Sequence, residues 1–142
     1  MRSGPLSVTL LVAATALLLP APAAATPGRG VSAWVMAQAT RDGMDYITRE
    51  IIIEPGGSTG WHWHEGHLYG LIKQGTLTHQ TAHCTLDGIY ETGDSISEET
   101  GPDHAHIGRN LGEVPVVLQV VYINPAGHPL SQDVADPGCG YN

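Results

Sequence analysis

The sequence predicts an all-β protein, a single-domain sandwich or barrel. Short runs rich in β-branched and aromatic residues alternate with Gly- and Pro-containing turns at close spacing. After residue 25 no segment sustains the i, i+3, i+4, i+7 apolar pattern of an amphipathic helix. Ala33–Gln38 reads as a first strand. Tyr46–Glu54 reads as a second, because Ile51-Ile52-Ile53 is too β-branched for a helix, and Pro55-Gly56-Gly57 ends it. Gly60–His64 is a third and Tyr69–Lys73 a fourth, turned by Gln74-Gly75 into Thr76–Gln80. Gly88–Glu91 and Ser95–Ser97 flank a turn at Thr92-Gly93-Asp94, and His104–Arg109 makes another short strand. Pro115–Ile123 is the most hydrophobic run and is expected at the centre of a sheet. From Pro125 onward the chain is rich in Pro and Gly and reads as coil.

The first 25 residues read as a secretory signal peptide. Arg2 supplies the positive end, Leu6 to Leu19 the apolar stretch, Pro20 the break, and Ala23-Ala24-Ala25 the small-residue cleavage pattern. The alternative is an uncleaved N-terminal anchor. The expected product is secreted, a mature domain of residues 26–142 with a barrel over about 46–127 and a coil over 128–142. Fourteen Asp and Glu against six Lys and Arg, with no basic cluster, argue against nucleic acid or an anionic membrane as partner. Cys84 and Cys139 are the only cysteines. In an oxidising compartment an even count predicts a bridge; the alternatives are two free thiols or two ligands of a zinc site, and neither Cys lies in a CxxC pair.

Eight histidines in so short a chain are the compositional oddity. His62 and His64 stand two apart, and on a strand such residues share a face. Two imidazoles side by side are half of a site for Zn, Fe, Cu or Ni. The competing reading is a pair of surface histidines on an edge strand. Trp61 and Trp63 alternate with them and so face away from the barrel interior, either packed beneath the N-terminal strands or at the seam of a homodimer. His67 reads as a rim residue, and His79, His83 and His128 as solvated.

The run from Gly56 resembles the first motif of the cupin family, G(x)5HxH(x)3–4E(x)6G. Gly56, His62, His64 and Gly75 fall in register, and Leu68 stands where the family has its glutamate. The second motif, G(x)5PxG(x)2H(x)3N, is degraded. Counting from Gly93 brings Gly101 and His104 into register; counting back from Asn110 brings in His106. The two counts differ by two residues, so an insertion is expected within Thr100–Asp103, with His106 in the motif and His104 of the same parity. Trp61-His62-Trp63-His64, Glu98, His106-Ile107-Gly108-Arg109-Asn110 and Pro137-Gly138-Cys139 are also similar to a group of small exported cupins that lack the motif-one glutamate.

The resemblance implies a jelly-roll barrel with one divalent metal ion held by His62, His64 and His106. Glu98 or Glu99 would be a further ligand or an acceptor for an imidazole N–H; the alternative for each is a solvated loop charge. An open three-histidine site resembles that of cupin dioxygenases without the glutamate ligand, which favours Fe(II), with Zn, Mn, Ni and Cu as alternatives. Three functions follow: a metal-dependent, oxygenase-type enzyme on a small molecule; a non-catalytic metal- or ligand-binding protein; and a metal-free cupin whose histidines form a polar core. Against the first, no general base or substrate-binding Arg is identifiable inside the barrel, since Arg109 has outward parity relative to His106.

Overall fold

A computed structural model describes residues 24–141. The signal peptide reading falls almost entirely on residues 1–23, outside the described residues. The described chain is almost entirely β-structure: β1 (Arg29–Arg41), β2 (Met44–Ser58), β3 (His62–Trp63), β4 (His67–Gln74), β5 (Thr76–Thr81), β6 (Leu86–Glu91), β7 (Ser95–Glu98), β8 (His106–Arg109), β9 (Val116–Pro125) and β10 (Gln132–Asp133). A single 3-10 turn spans Pro102–His104. No helix among the described residues is long and apolar enough to cross a membrane.

All strand pairings are antiparallel. One side of the barrel runs β1-β2-β9-β4-β7, and the other joins β10, β3, β8, β5 and β6. The length of β2 links them: Met44–Ile53 pairs with β9, and Ser58 reaches Arg109 of β8. The expected hydrophobic strand is indeed central, between β2 and β4. Its alternate residues Val116, Leu118, Val120 and Tyr122 point inward against Ile47 and Ile53 of β2 and Leu68 and Ile72 of β4. This is the alternation a sheet with one buried face requires. The result is a nearly closed jelly roll, in which the sheets cover each other's apolar faces.

Three differences from the sequence reading position the site. The first strand is longer than the expected Ala33–Gln38, running from residue 29 to 41 along β2. Its residues bury little on either side, so their pattern carries no strong periodic signal. The third is shorter, because the chain bends at residues 65–66. The tail also makes ordered contacts: β10 pairs with β3, Val134 N–H donates to Trp61 O, and Thr26 N–H donates to Val134 O. Cys84 and Cys139 are bridged, with Cα atoms 5.2 Å apart, which joins the tail to the end of β5.

Candidate metal centre

Each histidine of the cluster arrives from a separately determined piece of backbone. Gly60 adopts φ +74°, and a Cβ there would lie 2.2 Å from Thr26 O, so only glycine fits. The turn feeds His62 into β3, directly opposite His106 on β8. His64 follows at a bridge to Thr100. A 3-10 turn overlaps the segment where the insertion is expected and begins past Gly101 at φ +99°. It leaves His104 exposed on the turn, where strand parity does not apply, and starts β8 with His106 buried. His106 therefore joins the cluster, whereas His104 contributes only its carbonyl.

The fourth group is Glu98, at the end of β7. It pairs across the sheet with Leu68, the residue in place of the family glutamate. Cross-strand partners share a face. A carboxylate thus enters from the neighbouring strand, while Leu68 remains in the core. This overturns the solvated-loop reading for Glu98. That reading holds for Glu99, which is exposed and lies 3.7 Å from the exposed His67.

His62, His64, Glu98 and His106 present ligand atoms within 4.8 Å of one another. That is roughly twice a metal–nitrogen bond of about 2.1 Å. Each imidazole Nδ1 faces a backbone carbonyl: Gly60 O at 2.9 Å for His62, Leu130 O at 2.6 Å for His64, and His104 O at 2.8 Å for His106. A carbonyl only accepts, so a ring proton sits on each Nδ1, and in the neutral ring Nε2 keeps its lone pair for a metal ion. Glu98 Oε2 lies 2.8 Å from His64 Nε2 and 3.2 Å from His106 Nε2. These three buried atoms have no hydrogen-bond partner of their own. Lone pairs face lone pairs at contact distance, and a cation among them would satisfy all at once. The residues therefore fit a divalent ion. Burial first, and then the imidazoles of His106 and His64, push His62 down to about 3, so it remains a neutral donor. Burial alone would raise the Glu98 carboxyl; without a metal ion, the charge of a protonated His106 first, and then N–H donation from His106, His64 and His79, outweigh burial and hold Glu98 well below its usual range.

Sequence reasoning missed His79 and Arg49. His79 is 4% exposed rather than solvated. Its Nδ1 lies 2.8 Å from Asp87 and its Nε2 3.4 Å from Glu98, so it braces the carboxylate from behind. The alternation along β5 (Leu77 in, His79 in) was the available signal. Arg49 has the inward parity of Ile47, Ile51 and Ile53 on β2, contrary to the expectation of no Arg inside the barrel. Its charge acts on the nearby Tyr122 hydroxyl, and the Tyr122 ring lies edge-on to His64 at 5.7 Å between centroids. Arg109, as expected, faces out, its guanidinium 4.3 Å above the Tyr141 ring. Trp61 is fully buried and stacks on Tyr141, so the tail covers it.

Two spaces adjoin the cluster on the barrel side. An apolar chamber of about 40 Å³ lies among Ile51, Ile53, Leu77, Leu118 and Val120. It opens toward a mouth of about 160 Å³ walled by Val31 and Ala33 of β1, Arg49, Tyr122 and the two histidines of the first motif. Beyond Glu98, a polar cleft of about 340 Å³ is lined by Asp87, Glu99 and Asp103.

A barrel with one histidine on β3, a second at the bridge just past it, a third on β8 and the first-motif spacing also matches a known family model, described as the cupin domain, over residues 49–122. This chain is a cupin. Among solved structures, the polyketide cyclase RemF from Streptomyces resistomycificus is similar at a TM-score of 0.63 and 17% identity, with 90% of each chain covered. A cupin domain from Bordetella pertussis matches at a TM-score of 0.55 and 23% identity, over 67% of this cupin and 94% of that chain. An oxalate oxidase in complex with glycolate matches at 0.56 and 17%, over 68% of this cupin and 53% of that longer chain. These likenesses show the fold. No curated protein matches the sequence.

Proposed function

We propose that this cupin binds one divalent metal ion through the Nε2 atoms of His62, His64 and His106 and a carboxylate oxygen of Glu98, and acts on a small molecule in the barrel mouth with oxygenase-type chemistry. The observation that carries the reading is the set of facing lone pairs, with every Nδ1 committed to a carbonyl. The mixed imidazole and carboxylate donors favour Fe(II); Zn, Mn, Ni and Cu suit the same set. When bound, such an ion would supply Lewis acidity and a place where O2 and substrate can meet. The chain's residues do the rest. The three carbonyls orient the imidazoles, His79 and Asp87 orient Glu98, and the apolar chamber excludes bulk water. The leader pattern and the bridged Cys84–Cys139 pair support secretion.

The test is metal content after exposure to Fe(II), Mn(II), Zn(II), Ni(II) and Cu(II). The wild type is expected to hold one equivalent and His62→Ala none, with the far-ultraviolet spectrum of a β-protein kept. Acid should release the ion, because its nitrogen ligands must be neutral. Consumption of O2 with a candidate substrate only in the loaded form supports an enzyme; one equivalent of metal without turnover supports the binding protein. Wild-type protein that takes up none of the five ions sinks the metal reading and leaves the polar core.

A further inference from the structure

Arg49 is an oddity in this molecule. The chain carries a formal charge of −8, and its other inward-facing groups around the site are imidazoles and a carboxylate. On β2 the neighbouring Glu50 points to the outer face, where it binds Lys73 at 2.7 Å. Arg49 points the other way, into the mouth shared with His62, His64 and Tyr122. Its Nε is buried and has no acceptor. Among the described residues no ion pair is made by its guanidinium, and its charge acts on the nearby Tyr122 hydroxyl. A guanidinium has five N–H donors in a planar fork, so most of its donors remain for a ligand. Asp133 lies at the exposed rim of the same mouth and opposes a large anion entering there.

We propose that Arg49, with Tyr122 beside it, binds the carboxylate of a small organic acid in the barrel mouth, placing the acid's remaining atoms toward the metal centre. The inference rests on the proposed metal site for its chemistry but not for its binding. An Arg fork matches a carboxylate edge-on and bidentately. A mouth of about 160 Å³ suits a small molecule rather than a polymer. Tyr122 holds the fork in place, and its ring contact with His64 fixes the anion subsite relative to the cluster. The apolar residues Val31 and Ala33 on the β1 wall would face the acid's carbon skeleton. The protein's net negative charge repels anions in general, so binding to the metal-free form must come from this local cation.

The experiment titrates the purified protein with glycolate, pyruvate and benzoate, with their neutral amides, and with inorganic phosphate. Calorimetry follows the metal-free form, and the visible bands of Co(II) follow the loaded form. At least one carboxylate is expected to bind saturably in both, while Arg49→Gln weakens it roughly tenfold or more and Arg49→Lys by less. The matching amide should bind no better to the wild type than to Arg49→Gln. Equal carboxylate affinity in wild type and Arg49→Gln, equal binding of amide and acid, tighter binding of phosphate, or no saturable binding at millimolar concentrations would overturn the proposal. Protein that takes up neither Co(II) nor any of the five ions above refutes the metal reading alone, because the metal-free titration still decides the role of Arg49. If Arg49→Gln loses its β-spectrum, Tyr122→Phe and Arg49→Lys carry the same comparison: weaker carboxylate binding supports the clamp, and unchanged binding overturns it.

Discussion

Glu98 is where one residue decides the character of the site. It is buried among three imidazoles and braced by His79, and its backbone partner is Leu68. Adjacent strands lie about 4.8 Å apart, so the carboxylate has shifted by one strand from its usual place in the family motif. Glu98→Leu is therefore expected to lower metal affinity by at least tenfold, since it removes the one anionic donor. The swap Leu68→Glu with Glu98→Leu returns the carboxylate to the motif position on the same face and should recover part of that affinity. Competition with a chromophoric chelator measures both. Equal affinity in wild type and Glu98→Leu would show that Glu98 is not a ligand. The single change Leu68→Glu sets two carboxylates side by side in a buried place, and a loss of stability of about 2 kcal/mol or more is expected from denaturant melts.

At the scale of elements, the strands matter less than what ties their ends. Asp45, near the start of β2, accepts from the Thr40 hydroxyl on β1 and from Gly127 N–H after β9, at 3.0 Å for the latter. One carboxylate thus holds three segments. The Thr40 bond first, and then Gly127, lower its carboxyl below the usual value of 3.8. A carboxyl depressed by folding contributes stability that is present above its unfolded value and lost as pH falls through the folded one. Asp45→Asn should accordingly be less stable than wild type near neutrality, with the difference shrinking as pH drops below about 3.8. Urea melts of the metal-free protein from pH 7 down to 3 check this; a gap that stays constant would mean that the charge is not what matters.

Across the whole molecule, the tail closes the site as well as the barrel. Leu130 O accepts from His64 Nδ1, β10 pairs with β3, and Cys139 is bonded to Cys84. The bridge spans 55 residues. On the chain-entropy estimate such a closed loop contributes about 4 kcal/mol through the unfolded state. Replacing both cysteines by Ser is expected to lower unfolding free energy by a few kcal/mol. It should also weaken metal binding, because the carbonyl that sets the His64 tautomer lies on the released tail. Chemical denaturation and metal titration of that variant test the two effects separately; lost stability with unaltered metal affinity would leave the tail a purely structural strap.

The class of fold, the central strand, the His62–His64 pair and the family were legible from sequence because each rests on local rules. Alternation with period two marks β9, glycines mark the turns, and a fixed spacing of Gly56, His62, His64 and Gly75 marks the motif. His106 was legible through its distance from Asn110, and the bridge through an even count of two cysteines behind a leader-like pattern. What lay beyond sequence was pairing between distant segments. That Glu98 faces Leu68, that His79 turns inward behind it, and that Arg49 enters the mouth depend on register between strands far apart in the chain. Register is set by the packing of the whole barrel, because a slip of one residue would turn each side chain to the other face. The tail shows the same limit: its Pro and Gly pattern is that of coil, and only the disulfide and the carbonyl beneath His64 make it part of the site.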